Sequence, residues 1–274
     1  MQKKVKWSGE RLETFIYSRD TIDHLHRYAI AAEYCKDKVV LDIASGEGYG
    51  SNLLSKQAEM VIGVDIAQNA VENAASKYKS ANLQFLIGST DAIPLNNCSV
   101  DVVVSFETIE HHDRHDIMFT EIKRVLKPNG ILIISTPDKL YYSDLRSFSN
   151  EYHVKELYKK DFLDLISKYF TNVQLLTQTY LNGNSLINDE NKTLGIKYYT
   201  GNYEAVAQTE MHHLYLVAIA SDQHFLLQNT SIFEGTEITQ IQQKNDKQKI
   251  YSSASYKFGA TLLKPVVILR KFLR

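Results

Sequence analysis

Val39 to Ser51 reads VVLDIASGEGYGS: a β-branched apolar run carries Asp42 near its end and passes at once into glycines at 46, 48 and 50. Such a run predicts a buried strand entering a tight turn and then a helix, because glycine tolerates positive φ and lets a ligand approach the main chain. Asp42, at the strand end, is placed to hold the ammonium group of an amino-acid moiety.

Outward from this stretch the chain alternates. KVVLDIA, MVIGVDI, LQFLIG, VDVVVSF and GILIIST are strand-like, and amphipathic segments such as NAVENAASKY and DIMFTEIKRVL separate them. Strand and helix in alternation predict a parallel sheet covered on both faces. Lys155 to Tyr169 reads as a helix with Leu157, Phe162, Leu165 and Ile166 on one face, and strand-like Asn172 to Tyr180 and Leu214 to Ala220 follow.

These signals divide the chain. Residues 1–37 are expected to form an N-terminal helical cap, with a helix over Glu10 to Tyr34 lying across the cleft as a lid. Residues 38–222 form the main domain, with a polar insertion at 181–210 before the last strand. Residues 223–253, rich in Gln and Lys, read as a polar linker. Residues 254–274 are a basic amphipathic tail that Pro265 is expected to split into two short helices.

With 44% hydrophobic and 23% charged residues, the chain has material for one substantial core. Thirty-one basic side chains against 32 acidic ones leave a net charge of -1, which gives no global field to attract nucleic acid. Cys35 and Cys98 lack metal-ligand spacing, as expected of a reduced cytoplasmic protein. No apolar run reaches the roughly 20 residues of a membrane span, and the N-terminus lacks an apolar signal core.

A dinucleotide site would call for G-x-G-x-x-G, but Ser51 stands where the third glycine belongs. Asp65 ends the second strand about 20 residues beyond the glycines, where a ribose-binding acid belongs in either chemistry. LDIASGEGYG, VIGVDIA, GSTDAIPL, DVVVSFETIEH and RVLKPNGILIIST, in that order over Val39 to Pro137, resemble the motif series of class I S-adenosylmethionine (SAM) dependent methyltransferases.

The resemblance implies a Rossmann-like α/β fold, a seven-stranded and mostly parallel sheet with helices on both faces. It implies that Asp42, Ala44, Gly46 and Gly48 cradle the methionine end of SAM, and that Asp65 with Ile66 takes the ribose. Asp91 and Ala92 would receive the adenine, with Phe106 also at the cofactor. Ala44 departs from the family pattern, standing where the first glycine of the loop is expected.

The fourth strand ends in SFETIEHH, at the sheet edge where α/β folds place their chemistry. Methyl transfer to a hydroxyl needs the acceptor oxygen held in line and its proton removed, which makes His111 and Glu107 the catalytic candidates. Glu107, Glu110 and His111 form E-x-x-E-H, and His153 follows in NEYHVKEL. That group resembles the metal site of small-RNA 2′-O-methyltransferases and ubiquinone-pathway O-methyltransferases, implying Mg²⁺ or Mn²⁺ on Glu107, Glu110, His111 and His153. The metal-free alternative makes His111 a plain general base.

SFETIEHH, STPDKLYYSD and NEYHVKEL together resemble methyltransferases of bacterial surface-polysaccharide biosynthesis. The expected activity is O-methylation of a sugar, glycan or related small hydroxylated acceptor. A phosphate at a glycan end, a quinol precursor and an RNA 2′-hydroxyl are the other acceptors weighed. The rival readings are an NAD-dependent oxidoreductase on the same fold and a non-catalytic SAM-binding subunit. The tail at 254–274 is expected to dock on an anionic membrane at its inner face, on a complex, or on the protein's own body.

Overall fold

The computed structural model describes residues 11–189 and 196–272, with side chains as far as Leu263. The described chain carries β1 (Val39–Ile43), β2 (Met60–Asp65), β3 (Leu83–Ile87), β4 (Val100–Phe106) and β5 (Leu126–Pro137). They are followed by β6 (Asn172–Leu181), β7 (Asn184–Asn188), β8 (Tyr198–Gly201), β9 (Val206–Thr209), β10 (Tyr215–Ser221) and β11 (Ser231–Glu234). The helices are α1 (Arg19–Cys35), α2 (Tyr49–Leu54), α3 (Gln68–Lys77), α4 (His115–Val125), α5 (Lys159–Tyr169), α6 (Thr236–Ser252) and α7 (Ala254–Phe272).

The main sheet has nine strands in the order β11-β7-β6-β10-β5-β4-β1-β2-β3. This is the expected α/β fold with helices on both faces, with two strands more than the seven expected. β1 to β5 pair in parallel, while β10 lies antiparallel between β5 and β6. β7 and β11 extend the far edge, each antiparallel to its neighbour. The chain order reverses between β1 and β4, so the crevice beyond their C-terminal ends is the natural ligand site.

Each face of the sheet has its own apolar layer. Met118, Phe119 and Ile122 of α4 join Phe162 and Ile166 of α5 on one side. Tyr28, Ile30 and Ala31 of α1 join Leu54 of α2 on the other. α1 therefore belongs to the core rather than to a lid, and it begins at Arg19 because Ser18 caps it. The Thr21 N–H donates to Ser18 Oγ at 3.4 Å, and the Ser18 N–H to Thr21 Oγ1 at 3.2 Å. The part of the expected cap and of the N-terminal reading that falls on residues 1–10 lies outside the described residues.

The expected linker at 223–253 is structured. Gln174 Nε2 donates to the Gln228 carbonyl at 2.9 Å, while the Gln228 N–H donates to Gln174 Oε1 at 2.8 Å, pinning the segment to β6. β11 then pairs with β7, and α6 docks through the buried Ile238. The insertion at 181–210 holds β7 and the β8–β9 hairpin; its residues 190–195 lie outside the described ones. Pro265 does not divide the tail, because α7 runs as one helix. The cationic and apolar side chains expected there beyond Leu263 lie outside the described residues. Among the described residues no helix is long and apolar enough to cross a membrane.

Candidate active site

A cavity of about 1070 Å³ opens at the C-terminal edge of β1, β2 and β4. Ala44, Gly46, Asp65, Ile66, Asp91 and Phe106 line it, while Asp42, Gly48 and Ala92 stand outside its wall. The turn after β1 is left-handed at Ala44 (φ 60°), Gly46 (φ 54°) and Gly48 (φ 84°). A Cβ on Gly48 would lie 2.7 Å from Ala74 Cβ and 2.8 Å from Phe85, so glycine is needed there for space as well as for φ. At Ala44 the chain accepts a strain of about 1 kcal/mol for the backbone path that glycine gives freely.

Asp42 is 1% exposed and sits beneath the turn rather than in the cavity wall. It accepts from Ser51 Oγ at 2.6 Å and from the Tyr28 hydroxyl at 3.3 Å. Burial pushes its carboxyl up to about 6, although the bonds from Ser51 and Tyr28 pull the other way. The serine in place of a third glycine thus has a partner: it holds the strand-end acid.

Asp65 organises the turn from the next strand. Its Oδ2 accepts the Gly46 N–H at 2.9 Å, its Oδ1 accepts the Ala67 N–H at 2.9 Å, and Arg11 reaches Oδ1 at 3.2 Å. Asp91, on the outer wall, is held below the usual carboxylate range by hydrogen bonds from Ser89 and Arg114. Asp65→Ala is expected to weaken SAM binding by more than about 1 kcal/mol, fivefold or more, since the support of Gly46 goes and, on the role expected from the sequence, a ribose contact with it. Calorimetric titration with SAM measures this, and unchanged affinity would mean that the donor does not bind over β2.

At the other end of the cavity the chain after β4 forms a short 3-10 turn, Ile109–His111. It carries Glu110 and His111 to within 4.8 Å of His153, counting one ligand atom from each. Glu107 is not in this group, which corrects the expectation that it is a fourth ligand. Its backbone is left-handed, with φ 51°, and its carboxylate turns toward α1. There Arg27 Nη1 donates to Oε1 at 2.5 Å and Ser135 Oγ donates to the same oxygen at 2.6 Å.

Arg27 is 1% exposed and also donates to Ser135 Oγ at 2.8 Å and lies 4.8 Å from the Tyr215 ring centre. Burial works against its charge, but Glu107 together with Tyr215, Asp23 and Tyr49 more than offsets it. The sequence sets Arg27 in the cluster His24 to Tyr28 of the expected lid helix, but does not reveal its partner, which is 80 positions away.

The three grouped side chains have defined orientations. The His111 Nδ1–H donates to the Tyr152 carbonyl at 3.0 Å, which leaves the lone pair on Nε2. His153 Nδ1 bonds to Glu156 at 2.5 Å, and its Nε2 faces Asn150 Nδ2 at 3.0 Å. Glu110 is 1% exposed; its Oε2 accepts from Thr136 at 3.1 Å, and its Oε1 has no partner among the described residues. Burial, reinforced by the Glu107 charge, pushes the Glu110 carboxyl well above the usual range.

Residues 41–134 match the methyltransferase domain family. The chain is 34% identical over 140 residues to a probable SAM-dependent methyltransferase of Mycolicibacterium smegmatis, a match that covers 51% of this chain and 54% of the relative. A fatty-acid O-methyltransferase of the same organism is 27% identical over 120 residues, covering 40% and 44%. The chain spans about half the length of the curated relatives it matches. The YcgJ protein of Bacillus subtilis shares the fold, with a TM-score of 0.55 at 18% identity over 73% of this chain and 100% of that one. These matches support a SAM-dependent methyltransferase, and none of them speaks for the oxidoreductase reading.

Proposed function

We propose that this protein is a SAM-dependent methyltransferase that O-methylates a hydroxyl of a sugar, a glycan or a related small acceptor. One observation carries the reading: a single cavity joins the glycine turn and Asp65 at one end to Glu110, His111 and His153 at the other. A methyl donor seated over the turn directs its sulfonium toward that cluster. The acceptor oxygen forms its bond to the methyl carbon as the carbon–sulfur bond breaks, and the electron pair stays on sulfur. The hydroxyl proton passes to His111 Nε2.

The acceptor end combines Tyr142, Phe148 and Tyr152 with Ser149, Asn150 and Glu151. Aromatic faces beside hydrogen-bonding edges suit a sugar ring, whereas an acyl chain would meet polar groups it cannot satisfy. The net charge of -1 disfavours RNA.

The cluster also suits a divalent ion. Glu110 Oε1 is a buried oxygen without a partner among the described residues, and each histidine has its Nδ1 oriented by a neighbour, as metal-bound imidazoles usually are. Two imidazoles and a carboxylate suit Mn²⁺ better than Mg²⁺, and at His153 the ion would compete with Asn150. Glu110, His111 and His153 would hold it; with His111 Nε2 on the ion, the bound ion would lower the pKa of the acceptor hydroxyl in place of the proton transfer to His111.

Incubation with labelled SAM and a panel of nucleotide sugars, glycans, quinol precursors and fatty acids, with and without EDTA, tests the reading. Label is expected in a carbohydrate, and label confined to fatty acids or quinols overturns the acceptor class. Turnover indifferent to EDTA removes the metal. His111→Ala is expected to lower kcat by about 100-fold or more with SAM affinity unchanged. Retained turnover would remove His111 from the chemistry.

A further inference from the structure

A second cavity, of about 600 Å³, lies beside the first, lined by the β8–β9 hairpin and by one face of β6. A π-helical turn, Leu140–Asp144, forms the partition between the two. Tyr141 lines the second cavity and the next residue, Tyr142, lines the first. Nothing in the methyl-transfer chemistry uses this second space.

Its walls are built in some detail. Tyr141 stacks on His212 at 5.0 Å between ring centres and meets His213 edge-on at 4.8 Å. His213 Nε2 in turn bonds to the buried Asp138 Oδ2 at 2.8 Å, so the aromatic wall is anchored to the end of β5. Thr177 and Thr179, two apart on β6 and therefore on one face of the strand, also line it.

Those two threonines are 5% and 8% exposed. Among the described residues neither hydroxyl bonds to another protein group, and neither is sealed from solvent, so both are open to the cavity and available to a ligand. In the same walls Lys159 and Lys160 offset Asp138 and Glu210, so the space carries no net charge that would call for an ion.

An aromatic face, hydroxyls open to the cavity and balanced charge describe a site for a neutral polyol with one apolar face. We propose that the second cavity is a carbohydrate subsite, holding a sugar unit of the acceptor next to the one that is methylated. The proposal rests on the glycan reading of the first cavity and extends it: the acceptor passes the partition at Tyr141 and Tyr142 and occupies both spaces.

The test uses the full chain with S-adenosylhomocysteine bound, on an array of neutral mono- to tetrasaccharides, followed by titration of the strongest ligand. Longer glycans are expected to bind more tightly than single sugars. Tyr141→Ala and Thr179→Val should each remove most of that advantage, about tenfold for the tyrosine, while SAM affinity stays unchanged. In turnover, Tyr141→Ala should raise KM for acceptors of two or more units, with kcat and the KM of single sugars unaltered.

Absence of binding to every glycan on the array overturns the subsite, as does an equal loss on single sugars and longer chains. Glycan binding that responds to Tyr141→Ala without any methyl transfer would sink the glycan methyltransferase reading and leave the subsite standing. Transfer to glycans that Tyr141→Ala never affects would do the reverse.

Discussion

Replacing Arg27 by methionine is expected to destabilise the protein by about 3–5 kcal/mol, because it leaves a charge largely out of water without its partner. Methionine preserves much of the volume, so a cavity is not the main loss. Arg27 is surrounded by Glu107, Ser135 and the Tyr215 ring, and Glu107 is held in a left-handed backbone conformation. The Glu107 side chain keeps 16% exposure, which lets some water reach it and draws the expected value toward the lower end.

The double variant Arg27→Met with Glu107→Gln should recover a substantial part of the loss, since a neutral amide no longer needs the guanidinium. Urea midpoints of the two single variants and the double variant measure the coupling. If the double variant loses the sum of the single losses, the pair is not coupled and α1 is held by packing alone.

The same pair shows where sequence reading stops. The strand, the glycine turn and Asp65 were legible because the signal is local: apolar period, φ-permissive residues and an acid at a fixed spacing. The E-x-x-E-H spacing was equally visible, yet it placed Glu107 with Glu110 and His111. A 3-10 turn does bring Glu110 and His111 to His153, but Glu107 precedes that turn and is captured by α1. A contact between residues 80 positions apart leaves no periodicity to read.

Residues 223–253 were misread for a different reason. α6 buries only Ile238, so its Gln- and Lys-rich sequence resembles a solvated linker although these residues are competent helix formers. β11 is short and at the sheet edge, and its partner β7 lay inside a segment that read as an insertion. β11 is an edge strand with weak alternation and few buried side chains, whereas β7 is paired on both sides and was hidden by the polar residues around it.

Asp42→Asn is expected to stabilise the ligand-free protein at pH 7.5 by about 1–3 kcal/mol, an unusual gain for a change at a glycine-turn motif. The Asp42 carboxyl lies at about 6 in the fold against an ordinary value of 3.8. Between those values the folded state binds more protons than the unfolded one, so stability falls as pH rises through this window. Above about 6 the full penalty of a buried charge is present; below the ordinary value both states are protonated and the penalty is gone. Asparagine has no charge to bury, and its carbonyl oxygen still accepts the Ser51 hydroxyl.

The difference in urea midpoint between the variant and the natural protein should therefore be large at pH 7.5 and shrink toward zero near pH 4, with the contributions of other titrating groups cancelling. A variant less stable by the same amount at both values would show that Asp42 is a structural acceptor whose charge is immaterial. An acid retained against the cost of its own burial points to a use for the charge. Beneath the turn at Gly46, Asp42 places a negative charge under the ammonium end of the proposed donor. Hence the substitution that strengthens the fold is also expected to weaken SAM binding severalfold, and calorimetry on the same preparations reads both effects.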